Sequence, residues 1–113
     1  MVRVLIKRTM PKGLAADKQG LLLGLITQLR ARASGQPGYI SGETMMNVEN
    51  ADEYLVISTW EFLKDWQAWF GNEERKGIQK QIDTLLGQET KYEYYYYPDK
   101  RRIQAGLELI SPI

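Results

Sequence analysis

The chain has 113 residues, 43% of them apolar, with 15 Lys and Arg against 14 Asp and Glu. That is one domain with material for one hydrophobic core, and its balanced charge gives no bulk attraction to nucleic acid or to an anionic membrane. It contains no cysteine and no histidine, which removes disulfides, thiolate metal sites, cysteine nucleophiles, Ser-His-Asp triads and the imidazole ligand of haem or zinc.

The first residues, MVRVLIKR, are too short and too charged for the apolar region of a signal peptide. No apolar run approaches the ~20 residues that cross a bilayer. A cytoplasmic protein with no membrane partner is expected. Residues 2–8 alternate, with Val2, Val4 and Ile6 on one face and Arg3, Leu5 and Lys7 on the other, the pattern of a strand. Pro11 and Gly13 punctuate a turn. Residues 14–33 carry Leu14, Leu21, Leu22, Leu25, Ile26 and Leu29 at the repeat of an amphipathic helix. Gly20 and Gly24 are spaced to let that helix approach a neighbour closely, at a cost of up to ~1 kcal/mol each against Ala.

A second strand is expected over 39–48, then a turn-forming connection over 49–53. Residues 54–60, YLVISTW, are β-branched and aromatic on both faces, so both faces are expected to be covered. The period then changes. Phe62, Trp66, Trp69 and Phe70 recur three and four apart, Gly71 and Asn72 interrupt, and Ile78, Ile82, Leu85 and Leu86 resume the helical spacing. Gly87 suits a C-terminal cap. The last strand spans 88–97, with Thr90, Tyr92, Tyr94 and Tyr96 on one face and Lys91, Glu93, Tyr95 and Tyr97 on the other. The order β-α-β-β-α-β predicts an α+β, ferredoxin-like fold: an antiparallel sheet with its helices on one face. Helices cover only one side of such a sheet, so the apolar residues of the other side predict a face-to-face homodimer.

Four residues stand out as candidates for binding a substrate. Trp66 and Trp69 offer flat aromatic walls, though core packing is the plainer role for an indole. Arg75 is suited to stabilise a phenolate or a developing oxyanion; its plainer role is an exposed helix-start residue paired with Glu73 or Glu74. Asn47 is able to hold a carbonyl, or simply to form a turn at the end of its strand. Asn72 is read as a helix cap. Asp65, Glu73, Glu74 and Asp83 are read as a solvated helix face. One of the five late tyrosines is able to act as a proton donor, without the sequence saying which. No single catalytic residue is assigned.

The strand ending at Trp60, the DWQAWFGNEER of residues 65–75, the helix and Tyr-rich strand that follow, and the QPGY of residues 36–39 together resemble the antibiotic biosynthesis monooxygenase (ABM) superfamily. The resemblance covers residues 1–98. It implies a dimeric α/β barrel whose last strand often reaches across to the partner. Residues 99–113 become a C-terminal extension, open to three readings: a short extra strand, a dimer arm, or a poorly ordered terminus. The resemblance further implies a monooxygenase that needs no cofactor or metal and acts on a small aromatic or quinol-like molecule, with Trp66 beside the pocket. The alternative is a non-catalytic dimeric domain that binds small ligands on the same fold. Some relatives degrade haem, but with a histidine ligand and an asparagine in the first strand. This chain has no histidine and offers Lys7 and Arg8 there, so that activity is disfavoured.

Overall fold

The structure, a computed structural model, describes residues 1–98 of the chain. The extension expected over 99–113, including its role as a dimer arm, lies outside the described residues. The elements run β1 (Val2–Thr9), α1 (Ala16–Ala33), β2 (Tyr39–Met46), β3 (Glu53–Trp60), α2 (Leu63–Phe70), α3 (Glu73–Leu86) and β4 (Lys91–Tyr96). The four strands form one antiparallel sheet in the order β2-β3-β1-β4. This is the expected ferredoxin-like arrangement, with β1 and β3 in the centre.

The long second helical stretch is two helices. Gly71 ends α2, and the Asn72 side chain accepts a hydrogen bond from the Arg75 N–H to start α3. Asn72 is thus the cap its position suggested. Gly87 ends α3 in the left-handed region, at φ 71°, where glycine carries no Cβ penalty.

Register decides which side chains meet the helices. Val2, Val4, Ile6 and Arg8 lie opposite Trp60, Ser58, Val56 and Tyr54 of β3. Tyr92 lies opposite Ile6 on the other side of β1. This face, with Leu22, Leu25, Leu29 and Ala33 of α1, Trp66 and Trp69 of α2, and Ile78, Ile82 and Leu86 of α3, forms the core. Rings run through it in a chain. Trp60 meets Tyr39 edge-on at 5.4 Å and Trp66 at 5.9 Å, and Trp66 meets Tyr92 at 5.8 Å. Such pairs add about 0.5–1.5 kcal/mol each beyond the burial of their area. The Trp60 indole, fully buried, donates to Ser58 Oγ at 2.7 Å.

Gly38 sets the entry to β2. It sits at φ +82°, and a Cβ there would lie 2.2 Å from Asp65 Oδ2. Only glycine allows α2 this close to the β2 backbone. Several expectations need correction. Gly20 and Gly24 face open space, with no neighbour within 4 Å of a built Cβ, so they mediate no close helix contact within this protomer. Leu21 is on the exposed side of α1. Asp83 is not a solvated carboxylate: it accepts from Thr90 N, Thr90 Oγ1 and Gln79 Nε2, and so ties α3 to the start of β4. β2 stops at Met46 and β4 begins at Lys91.

Candidate active site

Between sheet and helices lies a cavity of about 60 Å³. The sheet contributes Ile6 and Arg8 of β1, Tyr39 and Thr44 of β2, and Val56 and Ser58 of β3. The helices contribute Ile26, Leu29, Arg30 and Ala33 of α1, Trp66 and Trp69 of α2, and Arg75 and Gln79 of α3. At ~10–15 Å³ for a water, the enclosed space holds a few waters, so a ring-sized guest needs the cavity to widen. The exposed members of its lining are on α1 and β2, where Arg30 donates to Thr44 across a 3.0 Å hydrogen bond. Gly42 keeps the β2 backbone low here, since a Cβ would meet Tyr39 Oη at 2.6 Å.

Three of the four residues singled out in the sequence meet at this cavity. Trp66 and Trp69, both nearly fully buried, form its aromatic wall. Arg75 is 4% exposed and not the solvated helix-start residue of the plainer reading. Glu73 pairs with Lys76 and Glu74 with Arg32 instead. The Arg75 guanidinium lies 4.5 Å from the Phe70 ring, 5.5 Å from Tyr92 and 5.7 Å from Trp66. It donates to Phe70 O at 3.3 Å and to Tyr92 Oη at 2.5 Å. Aromatic faces attract a cation without supplying a counter-charge. Among the five late tyrosines, Tyr92 is the one whose phenol oxygen accepts from Arg75, and it is not among the residues that line the cavity. Burial pushes the Tyr92 phenol above its ordinary range, against the pull of Arg75 and Arg8.

Asn47 is not brought to the cavity. Its Oδ1 accepts from the N–H groups of Glu49 and Asn50, and its Nδ2 donates to Glu53 Oε2. It shapes the turn between β2 and β3.

Arg8 and Gln79, both buried in the lining, were not among the candidates from the sequence. Arg8 is 7% exposed and donates to Gln79 Oε1 at 3.2 Å. Its Nε is buried with no acceptor. Burial draws its pKa down, and nearby Arg75 draws it further, while Tyr92 and Asp83 oppose this. Gln79 passes the link on to Asp83 Oδ1 at 2.7 Å and Thr90 Oγ1 at 2.8 Å. The signals were available. Arg8 continues the alternation of Val2, Val4 and Ile6, and Arg75, Gln79 and Asp83 stand four apart on one helix. Among the described residues, the cavity lining holds three arginines and no Asp or Glu.

The comparisons with known proteins fit this geometry. The family model described as antibiotic biosynthesis monooxygenase matches residues 1–81. The chain belongs to the antibiotic biosynthesis monooxygenase family. Among solved structures of the same fold, a conserved protein from Methanosarcina mazei Go1 superposes with a TM-score of 0.72 at 18% identity, over 86% of this chain and 92% of that one. SnoaB of Streptomyces nogalater, a cofactor-independent oxygenase, superposes with a TM-score of 0.70 at 11% identity, over 88% of this chain and 94% of SnoaB. Protein SchA of Streptomyces halstedii is 29% identical over 85 residues, which is 75% of this chain and 21% of SchA. The chain thus spans about a fifth of that relative's length. Among the described residues of this ABM protein, no helix is long and apolar enough to cross a membrane.

Proposed function

We propose that this ABM protein is a cofactor-independent monooxygenase acting on a small aromatic or quinol-like molecule. The observation that carries the reading is the cavity itself, walled by Trp66 and Trp69 with Arg75 in its lining. A ring ionised to its phenolate is electron-rich enough to reduce dioxygen directly. A ring methylene conjugated to it then becomes a carbonyl, with one oxygen atom in that carbonyl and the other in water. Such chemistry asks the protein for a dry site, a ring-shaped wall and a cation beside the developing charge. Trp66 supplies the wall and Arg75 the cation. Family membership and the likeness to SnoaB support the reading.

The test is oxygen uptake by the pure protein with hydroquinones, anthrones and polyphenols, without added flavin or metal. Uptake above autoxidation is expected, and its loss in Trp66→Phe or Arg75→Ala. No uptake across the panel would leave the second reading, binding without turnover, which the lack of any carboxylate or imidazole base in the lining favours.

The working unit in this proposal is a homodimer. The sheet face away from the helices carries Leu5, Ile57, Tyr95 and Tyr97, the last two about half exposed. A second copy packed on that face would remove this apolar surface from water. A monomeric mass in light scattering at micromolar concentration would refute it.

A further inference from the structure

We infer that the cavity is an anion receptor, in which Arg8 and Arg75 together hold the ionised oxygen of a small planar acid or phenol. The inference rests on the proposed function only in taking this cavity as the ligand site. It does not depend on oxygen chemistry.

The argument begins with charge. A buried cation is ordinarily paired with a carboxylate, because an unpaired one loses its hydration without compensation. Arg8 and Arg75 are both more than nine-tenths buried, and among the described residues neither is in an ion pair. The partners of Arg8 and Arg75 are neutral: Gln79 for the first, Phe70 O and Tyr92 Oη for the second. The carboxylate nearest in the network, Asp83, is already occupied by Gln79 and Thr90. One guanidinium nitrogen, Arg8 Nε, is buried with no acceptor at all. Both arginines line the same cavity, beside the wall of Trp66 and Trp69, and among the described residues no acidic one lines it with them. Two like charges held together in this way lack one component, a negative charge between them.

The shape narrows the ligand. Guanidinium groups are planar donors suited to carboxylate or phenolate oxygens. The tryptophan wall calls for a flat body attached to that oxygen. No lining side chain is a general base, so the ligand arrives ionised, or gives its proton to water as the two cations stabilise the anion.

The experiment titrates the wild-type chain with benzoate and with benzamide, its neutral isostere, by calorimetry and by quenching of tryptophan fluorescence. Arg8→Met and Arg75→Met are titrated in parallel. 4-Nitrophenol is titrated on both sides of its own ionisation, to tell a carboxylate from a phenolate. Benzoate or nitrophenolate is expected to bind at least ~10-fold more tightly than its neutral form, and each variant to lose ~10-fold or more for the anion only. Equal binding of the charged and neutral forms would overturn the inference. So would anion binding that both variants retain, which would place it on the surface. Should a variant fail to fold, the wild-type comparisons of benzoate with benzamide and of nitrophenolate with nitrophenol still decide. Anion-selective binding without oxygen uptake would keep this inference and retire the oxygenase. Uptake with a quinol, but no preference for either anion over its neutral form, would do the reverse.

Discussion

Replacing Arg8 with methionine should make this protein more stable. Arg8 is 7% exposed, and its Nε is buried without an acceptor. An orphaned buried donor costs about 1–3 kcal/mol. Exchanging buried charge for apolar side chains of similar volume is often stabilising by a comparable amount. Against this stands the 3.2 Å bond from Arg8 to Gln79 Oε1, whose loss leaves that oxygen without its donor. A hydrogen bond to a charged group contributes about 1.5–3 kcal/mol, but Gln79 keeps its two Nε2 bonds, to Asp83 and Thr90. Relief of repulsion from Arg75 adds to the favourable side. We expect a net gain of about 1 kcal/mol, which for a domain of this size is about 4 °C in Tm. Differential scanning calorimetry without ligand reads it directly. A fall of the same size would refute the reasoning, because it would mean that the Arg8–Gln79 bond holds α3 to the sheet more strongly than the buried charge disfavours it.

Other outcomes follow from single contacts. Gly38→Ala should destabilise by about 2 kcal/mol or more, since it combines a left-handed backbone with a Cβ 2.2 Å from Asp65 Oδ2. Adding Asp65→Ala should recover only part of this in urea unfolding, and full recovery would show that backbone strain is absent. Tyr92 has its phenol pKa raised by burial. Its contribution is therefore complete below the ordinary tyrosine pKa and is lost as pH rises through the folded value. Tyr92→Phe should flatten the alkaline fall in stability in this window, measured as the urea midpoint against pH; an unchanged fall would assign it elsewhere. Ile57→Lys, on the sheet face away from the helices, should halve the mass seen in light scattering while leaving the far-UV circular dichroism intact, and a mass that stays dimeric would place the interface on another surface.

Much of the fold was legible along the chain because its signals are local. The two-residue alternation of Val2, Val4 and Ile6, the switch to three-and-four spacing after Trp60, and the stop at Gly87 each depend on near neighbours alone. Asn72 and Asn47 were legible as cap and turn for the same reason, since their hydrogen bonds reach only two to six residues away. The absence of histidine and cysteine was decided before any folding, and it removed imidazole and thiolate chemistry.

The site itself was decided by tertiary structure. Whether Arg75 was a solvated residue or a buried cation depended on β4 bringing Tyr92 to it across 17 positions. Arg8 meets Gln79 across 71 positions, and nothing near either residue announces the other. Asp83 looked like surface until Thr90 folded back onto it. Burial is a property of what the rest of the chain places around a side chain. Spacing therefore determined which face each residue shares, and only the packing of three helices on one sheet decided which charges that face would enclose.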